Sequence, residues 1–451
     1  MRELMPRPAS LSGFPEWLPQ ERIVEQHVLD TLRRTFELWG LSSIETRAVE
    51  PLERLLAKGE VEKEVYLLRR LHADPDEEDD PGRRLALHFD LTVPLARYVL
   101  ENAGQLQFPF RRYQIQKVWR GERPQEGRYR EFIQADVDVI GNGELPFHYE
   151  VELPLVMADA LAALRPIGLP PFTIQVNNRK VAEGFYRGLG LTDVGAVLRA
   201  VDKLDKIGPD RVARALADEA GADDVQARAC LALAGIRSTD ASFADRVRAL
   251  GVEHELLDEG LLELVRVVEA AGEHAPGVLV ADLRIARGLD YYTGTVYETV
   301  LDGLPDLGSI CSGGRYDQLA SDGRNVYPGV GLSIGVSRLV AALVGRDLAV
   351  ATRSVPTCVL VAVPDEKRRP DCDRIAARLR RRDIPVEVAP SAAKYGKQIR
   401  HADRRGIPFV WFPGDDAPDQ VKDIRSGDQA DADADSWQPP EQDRWPQVVR
   451  G

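Results

Sequence analysis

The chain has 451 residues, of which 44% are hydrophobic and 29% charged, a composition typical of globular proteins with two or three domains. Its net charge of −13 excludes proteins that coat nucleic acid through bulk charge, but it permits a local basic patch. No uncharged apolar run reaches transmembrane length, and the first residues lack the apolar core of a signal peptide. We therefore expect a cytoplasmic protein with no membrane partner.

The cysteines show no paired Cys-x-x-Cys spacing. They are Cys230, Cys311, Cys358 and Cys372. A zinc site or a disulfide framework is therefore not expected, and no metal site built only from protein ligands is predicted.

The first part of the chain contains both helix and strand signals. Apolar residues recur at helical spacing over 21–39, which predicts an amphipathic helix that Gly40 ends. Residues 41–51 alternate enough to predict a strand that ends at proline, and the acidic range 72–84 predicts a solvated loop. Residues 85–140 then alternate strand-like and turn-like segments and hold most of the polar side chains.

Within this region, a loop rich in arginine follows a strand-like segment. Its arginines are Arg120, Arg123, Arg128 and Arg130. Guanidinium groups match phosphate and carboxylate oxygens with a planar fork of donors, so the loop is a candidate nucleotide clamp. A basic surface turn has the same composition, and charge alone leaves both interpretations open.

The next predicted strand, 132–140, has two contrasting faces. Apolar side chains occupy one face, whereas Gln134, Asp136 and Asp138 share the other. Carboxylates on a strand inside a core sheet are costly to bury unless they bind something. The alternative is an edge strand with one face in water, but the neighbouring arginines favour a polar cleft.

The segment His88-Phe-Asp90-Leu-Thr92-Val-Pro94 supplies another carboxylate and a hydroxyl near a strand end. This signal is weak when taken alone, because Asp and Thr ahead of a helix are usually caps.

Two segments bracketed by glycine follow further along. Arg287-Gly-Leu-Asp-Tyr-Tyr-Thr-Gly294 places a carboxylate and paired tyrosines between two glycines, directly after a cation, and glycine permits close approach of a ligand to the backbone. Cys311-Ser-Gly-Gly-Arg-Tyr-Asp317 has the same character. No partner histidine is evident for Cys311, so a buried packing thiol is a better interpretation than a nucleophile.

The glycine-rich range 329–339 superficially suggests a dinucleotide loop, but its spacing is not G-x-G-x-x-G. A glycine-rich strand that leads into a helix, with Arg338 in the first turn of that helix, explains this range better. Such an arrangement can lay backbone under an adenine and hold a triphosphate.

The remaining ranges define the flanking modules. Residues 182–271 carry leucine and alanine at helical spacing and predict a mostly helical insert, after which strand signals return at 277–281 and 296–301. Beyond Arg346, alternating strand and helix signals predict a small α/β module with a mostly parallel sheet. The acidic, proline-containing tail that begins at Asp431 predicts poor order.

Together these residues resemble the class II aminoacyl-tRNA synthetases, specifically the histidyl-tRNA synthetases, over nearly the whole chain. Residues 21–51, 112–140 and 329–343 resemble the family's motifs 1, 2 and 3. The two glycine-bracketed segments resemble its histidine-specific segments, and the C-terminal module resembles its anticodon-binding domain. The family pattern departs at Ser337, where Glu is common.

The resemblance implies an α+β fold, in which an antiparallel-sheet catalytic domain carries a helical insertion and precedes an α/β anticodon-binding domain. The expected boundaries are 1–181 for the first catalytic part, 182–271 for the insertion, 272–346 for the second catalytic part and 355–451 for the C-terminal domain with a disordered acidic tail. It also implies a homodimer, with ATP, histidine and histidine tRNA as substrates and Mg²⁺ as cofactor.

By position, the resemblance implies catalytic roles for Arg120 and Arg287. It implies ATP binding by Arg120, Glu122, Arg128 and Arg338. It implies histidine binding by Asp90, Thr92, Gln134, Asp138, Tyr291, Tyr292 and Tyr316. Within that set, the family roles place the α-ammonium near Asp90, Thr92 and Gln134, and the imidazole nitrogens near Asp138 and Tyr292.

The predicted C-terminal helices concentrate basic residues in an acidic protein, which indicates a phosphate-binding surface or a solvated basic face. The candidate tRNA contacts are Arg378, Arg382, Lys394, Lys397 and Arg400.

Two other interpretations of the whole chain remain: a non-catalytic paralogue that senses histidine or tRNA, and a nucleotide-dependent amide ligase that does not use tRNA. The Arg287 segment argues against the first, and the basic C-terminal module argues against the second.

Overall fold

The computed structural model describes residues 9–56, 64–72, 84–285, 292–415 and 417–451. The chain divides into two compact units. The first contains the described parts of Met1–Pro15, Leu29–Arg165 and Leu169–Ala342, and the second contains Glu16–Val28, Pro166–Gly168 and Leu343–Gly451. Among the described residues, no helix has both the length and the apolar character needed to cross a membrane.

The first unit is built on a nine-stranded sheet with the order β1-β5-β6-β12-β11-β10-β7-β9-β8, beside a three-stranded sheet with the order β2-β4-β3. Its strands are β1 Ser42–Ser43, β2 Val49–Pro51, β3 Leu67–Leu68, β4 Leu85–Leu87, β5 Phe110–Trp119, β6 Glu131–Ile140, β7 Phe172–Asn178, β8 Arg237–Ser238, β9 Leu279–Asp282, β10 Thr295–Leu301, β11 Ser309–Ser321 and β12 Val326–Gly335. The large sheet is antiparallel except for the parallel pairs β1–β5 and β7–β9. The predicted α+β class with an antiparallel catalytic sheet is confirmed.

The predicted single strand over 41–51 is wrong. The structure has two short strands there, and they belong to different sheets. Thr46 lies between them, where the side-chain amides of Gln114 and Gln116 donate hydrogen bonds to its hydroxyl and to its carbonyl oxygen, at 2.9 and 2.8 Å. Because side chains of β5 satisfy these polar groups, the segment leaves the strand ladder at this point.

The helices up to residue 345 are α1 Pro19–Leu38, α2 Leu52–Leu56, α3 Thr92–Asn102, α4 His148–Ala162, α5 Arg179–Gly188, α6 Val194–Val201, α7 Leu204–Ile207, α8 Pro209–Ala220, α9 Asp224–Ala234, α10 Ser242–Arg248, α11 Glu255–His274 and α12 Val336–Gly345, with short 3₁₀ turns at Arg165–Ile167 and Pro305–Leu307. Helices α5 to α11 fill the predicted helical range. Capping residues begin some of these helices. At the start of α9, the side chain of Asp223 accepts hydrogen bonds from the backbone nitrogens of Val225 and Gln226 in a capping box.

Helices α5 and α11 approach each other closely because glycines lie at the contact. A Cβ at Gly184 would stand 2.3 Å from the backbone nitrogen of Leu257, and one at Gly260 would stand 2.6 Å from that of Val181. These helices belong to the same compact unit as the sheet, so a separate insertion domain with boundaries at 182 and 271 stays a prediction.

The second unit contains a five-stranded sheet with the order β15-β14-β16-β17-β18 and a two-stranded sheet of β13 and β19. Its elements are β13 Ala349–Ala351, β14 Val359–Val361, a 3₁₀ turn Glu366–Arg368, α13 Arg369–Arg380, β15 Val386–Val388, α14 Tyr395–Arg404, β16 Phe409–Phe412, β17 Gln420–Asp423, β18 Gln429–Asp431, α15 Glu441–Arg444 and β19 Val448–Arg450. Strands β15, β14 and β16 are parallel, and β17 and β18 continue the sheet antiparallel. The predicted α/β module is confirmed.

The predicted disorder of the acidic tail is wrong. The Arg378 guanidinium binds the carboxylates of Asp433 and Asp435 at 2.7 and 2.5 Å. Arg382 donates to the carbonyl oxygens of Ala434, Ser436 and Trp437. Composition predicted a solvated tail, but arginines at the end of α13 supply the opposite charge and the donors that hold it.

The Trp437 ring also anchors this tail. It packs edge-on against Phe409 and Trp411, with ring centroids 5.4 and 5.7 Å apart. Aromatic rings in this arrangement contribute both buried apolar area and favourable electrostatics.

We expect Trp437→Ala to destabilise the second unit by about 3 kcal/mol, since it removes a large ring from an aromatic cluster. The measurement is the thermal midpoint of the near-UV circular dichroism signal in the full chain. Trp445→Ala is the matched control, because Trp445 is 45% exposed. Equal shifts in the two variants would contradict the anchoring role of Trp437.

Candidate active site

A row of polar side chains crosses the centre of the large sheet on one face. Strand register aligns them directly across six neighbouring strands, and three of them, Glu298, Ser312 and Ser333, line one cleft. The row is Gln114, Asp136, Ser333, Ser312, Glu298 and Gln175. The cleft above it has a volume of about 730 Å³, within the range of small-molecule sites.

Glycines clear the space beside this row. A Cβ at Gly331 would stand 2.0 Å from the carboxylate of Asp138, and one at Gly314 would stand 2.9 Å from the Tyr292 ring. A Cβ at Gly329 would stand 2.4 Å from the ring of Tyr316. Any larger residue at these positions would displace the polar side chains that lie over the sheet.

Asp138 lines a small cavity next to the cleft and is held from two sides. The Tyr316 hydroxyl donates to its Oδ1 at 2.7 Å, and Nη2 of Arg112 lies 2.5 Å from its Oδ2. Arg112 is fully buried, and its Nη2 contact is a close ion pair rather than a well-aligned hydrogen bond. Both side chains fix the orientation of the Asp138 carboxylate.

Asp136 lies two residues away on the same face, and it is also buried. The Ser333 hydroxyl donates to its Oδ1, and Ser333 in turn accepts from Gln134 at 2.7 Å. Burial raises the pKa of Asp136 to about 7, although the Arg112 guanidinium opposes the rise; the charge of Asp138 adds to it.

The predicted ammonium-binding residues are divided between two places. Gln134 and Thr92 line the cleft and its inner cavity respectively, and Oε1 of Gln134 is buried with no hydrogen-bond partner among the described residues. This oxygen is ready to accept from a ligand. Asp90 accepts from the backbone nitrogen of Val93, in the first turn of α3, at 3.1 Å, and its charge also acts on Asp136.

Tyr292 lines both the large cleft and the inner cavity, and burial raises the pKa of its hydroxyl, so the hydroxyl stays neutral.

A buried hydrogen-bond network around Glu150 fixes the chain just after Tyr292. Glu150 accepts from the backbone nitrogen and the hydroxyl of Thr295 at 3.0 and 2.6 Å, and from Arg315 at 2.9 Å. A Cβ at Gly294 would stand 2.9 Å from the Glu150 carboxylate. Arg287 and Tyr291 lie outside the described residues.

Three arginines meet at the outer part of the cleft. Arg120, Arg128 and Arg338 all line it, together with Glu122. Burial lowers the pKa of Arg338, and the positive charges of Arg128 and Arg120 lower it further. Such mutual repulsion between cations is relieved by an anion, which makes this cluster a candidate phosphate site.

Hydrogen bonds to backbone carbonyls orient two of these arginines. Nε of Arg120 donates to the carbonyl of Phe89 at 2.9 Å, and Nε of Arg338 donates to that of Gly127 at 3.2 Å. Gly127 adopts a φ of +68°, which allows the loop to turn back on itself toward Arg338. Glu122 forms an ion pair with Arg128 at 3.3 Å.

Ser337, where the sequence departs from the family pattern, has a structural contact. Its hydroxyl accepts from the backbone nitrogen of Ile133 at 2.9 Å. It therefore ties the start of α12 to β6, next to the polar row.

The interpretation of Cys311 as a packing thiol fits its surroundings. The side chain is buried, and burial raises the pKa of its thiol to about 12. A thiol with such a pKa is a poor nucleophile. Among the described residues, no group of three His, Cys, Asp or Glu side chains could hold a metal ion.

The candidate tRNA residues of the second unit differ in their environment. Arg378 and Arg382 are engaged by the tail, as described above. Lys394, Lys397 and Arg400, on or beside α14, are exposed. Their side chains form no ion pair with another residue in the described part of the chain.

Two residues of this site were missed or left without a role by sequence reasoning. Arg112 shares a period-two polar pattern with Gln114 and Gln116 on β5, and this pattern matches the one on β6. Pairing the two patterns would have placed Arg112 opposite Asp138. Asp136 was placed on the correct face, but its link to Ser333 depends on strand register that no local pattern reveals.

Comparisons with known proteins agree with this geometry. A family model described as histidyl-tRNA synthetase matches residues 13–339, and one described as anticodon binding domain matches residues 357–434. The chain is 64% identical to a protein of Micrococcus luteus and 60% identical to one of Cutibacterium acnes, each named histidine–tRNA ligase, with 99% of both chains covered in each case.

Among solved structures, the chain is similar to the histidyl-tRNA synthetase from Nostoc sp. PCC 7120, with 35% identity, a TM-score of 0.83, and coverage of 95% of this chain and 97% of that one. A Bacillus halodurans structure titled as an ATP phosphoribosyltransferase regulatory subunit/histidyl-tRNA synthetase shares the fold, at 21% identity and a TM-score of 0.71. The family match covers most of the chain and includes every strand of the polar row, and this chain belongs to the histidyl-tRNA synthetase family.

Proposed function

We propose that the protein activates L-histidine with ATP, forming histidyl-adenylate and pyrophosphate, and transfers histidine to the 3′-terminal adenosine of histidine tRNA. The observation that carries this proposal is a cleft lined by Arg120, Arg128 and Arg338 next to a small cavity lined by Asp136 and Asp138, with Tyr292, Ser312 and Ser333 lining both. The arginines suit a polyphosphate, and the carboxylates suit a side chain with N–H donors. We further propose that it acts in the cytoplasm, where its tRNA substrate is found.

In the first step, the histidine carboxylate attacks the α-phosphorus of ATP, and negative charge builds on the phosphate oxygens. The three arginines lie where they can stabilise that charge, and Arg287 is proposed to act beside them. Glu122 is proposed to meet the adenine amino group. The described residues offer no cage for a metal ion, so Mg²⁺ is proposed to enter as part of the ATP substrate, held mainly by the phosphates.

Selection of histidine is proposed to occur beside the small cavity. Gln134, whose Oε1 has no partner among the described residues, is proposed to bind the α-ammonium together with Thr92 and Asp90. Asp138 and Tyr292 are proposed to bond the imidazole nitrogens, and both line a cavity together with Tyr316. A site built to hydrogen-bond such groups can reject analogues that lack them by roughly 10⁴–10⁵.

We expect histidine-dependent exchange of pyrophosphate with ATP, and charging of histidine tRNA, by the purified protein with Mg²⁺. Arg287→Ala should lose most adenylate formation while histidine binding, measured by calorimetry, survives. Near-normal exchange in that variant would refute its catalytic role. Absence of exchange in the wild type would exclude the enzyme, and exchange without charging would indicate an amide ligase that does not use tRNA.

The tRNA surface is proposed to centre on α14 rather than on α13. Lys394, Lys397 and Arg400 are exposed there, and Tyr395 presents a 40% exposed ring that packs edge-on against Phe412 at 4.9 Å. Free cations beside an exposed aromatic ring suit phosphates next to an unstacked base. Arg378 and Arg382 remain candidate contacts, although the tail already uses their donors.

We expect the double variant Lys397→Ala and Arg400→Ala to raise the KM for tRNA by about tenfold and to flatten its dependence on salt, because two phosphate contacts are lost. Pyrophosphate exchange, which needs no tRNA, should be unchanged. Arg374→Ala is the control, since Arg374 is exposed on α13 and pairs with Asp371. An equal effect of this control on the KM would contradict a surface centred on α14.

A homodimer is proposed from a group of exposed leucines on or just after the strands of the three-stranded sheet. They are Leu67, Leu68, Leu71 and Leu85. Leu68 and Leu85 are register partners on β3 and β4, and β3 is the edge strand of its sheet. An exposed apolar group beside a strand edge is typical of a surface that another protein copy covers.

We expect Leu67→Lys to weaken self-association, because it places a charge in the proposed contact. Sedimentation equilibrium at micromolar concentration measures the shift toward monomer. Leu262→Lys is the control, since Leu262 is exposed to a similar extent, 56% against 61%, on α11. A wild-type protein that is monomeric throughout would exclude the dimer.

A further inference from the structure

The helices between α5 and α11 contribute one cation, Lys206 of α7, to the wall of the large cleft. The three arginines of the candidate phosphate site line the same cleft. Lys206 is exposed, and its side chain forms no hydrogen bond or ion pair with another residue in the described part of the chain. This holds even though carboxylates also line the cleft, namely those of Glu122, Glu126, Glu298 and Asp306. The ammonium of Lys206 is therefore available to a ligand.

Ion pairs hold the backbone beside Lys206 against the large sheet. Arg284 donates to Asp205, the residue before Lys206, at 2.8 Å, and to the two carboxylate oxygens of Asp282 at 3.1 and 2.9 Å. Asp282 is the last residue of β9 and is 1% exposed, so it is a fixed point of the sheet. Helix α7 is thus tied to the sheet through Arg284, while the lysine side chain itself is left for the cleft.

Lys206 and the arginines belong to different parts of the sheet. Arg120 and Arg128 lie in the loop between β5 and β6, and Arg338 lies in α12 directly after β12. Asp282, which anchors α7, ends β9, and strands β11, β10 and β7 lie between β12 and β9. A ligand with several phosphates can therefore meet arginines on one side and Lys206 on another.

The two kinds of cation suit different parts of a triphosphate. Arg120 and Arg338 each use one N–H donor on a backbone carbonyl, which fixes the orientation of their guanidinium groups and suits a phosphate that stays in place. A lysine ammonium is a point charge on a flexible stem, so it can follow phosphates that move. The β- and γ-phosphates of ATP move when the bond from the α-phosphorus to the bridging oxygen breaks, because pyrophosphate leaves with that electron pair.

We infer, resting on the proposed function, that Lys206 is a further phosphate-binding residue: its ammonium contacts the β- and γ-phosphates of ATP and the pyrophosphate that leaves. Asp205 and Arg284 are positioning residues that act through Lys206. The helical range 182–271 thereby takes a direct part in binding the nucleotide.

The experiment is calorimetric titration of ATP and of AMP into the full-length protein with Mg²⁺. Lys206→Ala should weaken ATP binding about three- to tenfold, because one exposed charge contact is lost. AMP binding should stay within about twofold, since AMP lacks the outer phosphates, and Lys206→Arg should keep most of the affinity for ATP. Lys203→Ala is the matched control, because Lys203 pairs with Glu219 at 3.4 Å and does not line the cleft.

Pyrophosphate exchange gives a second readout. Lys206→Ala should raise the KM for ATP and for pyrophosphate by similar factors, with kcat within about twofold, as expected for a contact made before and during the reaction. Asp205→Ala tests the positioning role. Loss of the link to Arg284 should raise the KM for ATP, whereas loss of a negative charge alone would lower it, so a lowered or unchanged KM would overturn that role.

The other outcomes separate the possible ligands. Equal weakening of ATP and AMP binding by Lys206→Ala would overturn the assignment to the outer phosphates. A raised KM for tRNA with unchanged ATP affinity would place Lys206 on the tRNA and would also overturn it. ATP binding that depends on Lys206, without any exchange by the wild type, would contradict only the enzymatic proposal. Normal exchange with unchanged ATP affinity in Lys206→Ala would overturn only this inference.

Discussion

The structure depends on the burial of one arginine and two aspartates in the middle of a large sheet. Arg112, Asp136 and Asp138 lie on the adjacent strands β5 and β6, and all three are nearly inaccessible to water. An isolated charge in such a place would be prohibitive, so the two carboxylates need partners from the neighbouring strands. The Ser333 hydroxyl on β12 donates to Asp136, the Tyr316 hydroxyl on β11 donates to Asp138, and Arg112 forms an ion pair with Asp138.

That requirement explains why the neighbouring strands are rich in glycine. The side chains of Asp138, Tyr292 and Tyr316 lie across the sheet rather than standing away from it, and they occupy the space where Cβ atoms of β11 and β12 would be. The strands supply backbone for pairing while leaving room above them. The cost is the conformational entropy that glycine loses on folding, which the extensive ladder of the central sheet offsets.

Much of this arrangement could be predicted from the sequence, because its periodicities are local. Alternation on β6 placed Gln134, Asp136 and Asp138 on one face, and the glycine spacing around Arg338 predicted a strand that enters a helix. What could not be predicted depends on contacts between distant parts of the chain. Arg112 meets Asp138 through the register between β5 and β6, and Ser333 meets Asp136 through the register between β6 and β12.

The same limit explains the wrong prediction for the C-terminal tail. Its composition is that of a solvated segment, and only the approach of Arg378, Arg382 and the aromatic cluster gives it a fixed place. The order of the tail has a consequence for synthesis of the protein on the ribosome. Strand β13 near the start of the second unit pairs with β19 at the last residues of the chain. Its edge therefore has no partner until β19 has been synthesised and has left the exit tunnel, so this pairing forms after the rest of the second unit has emerged.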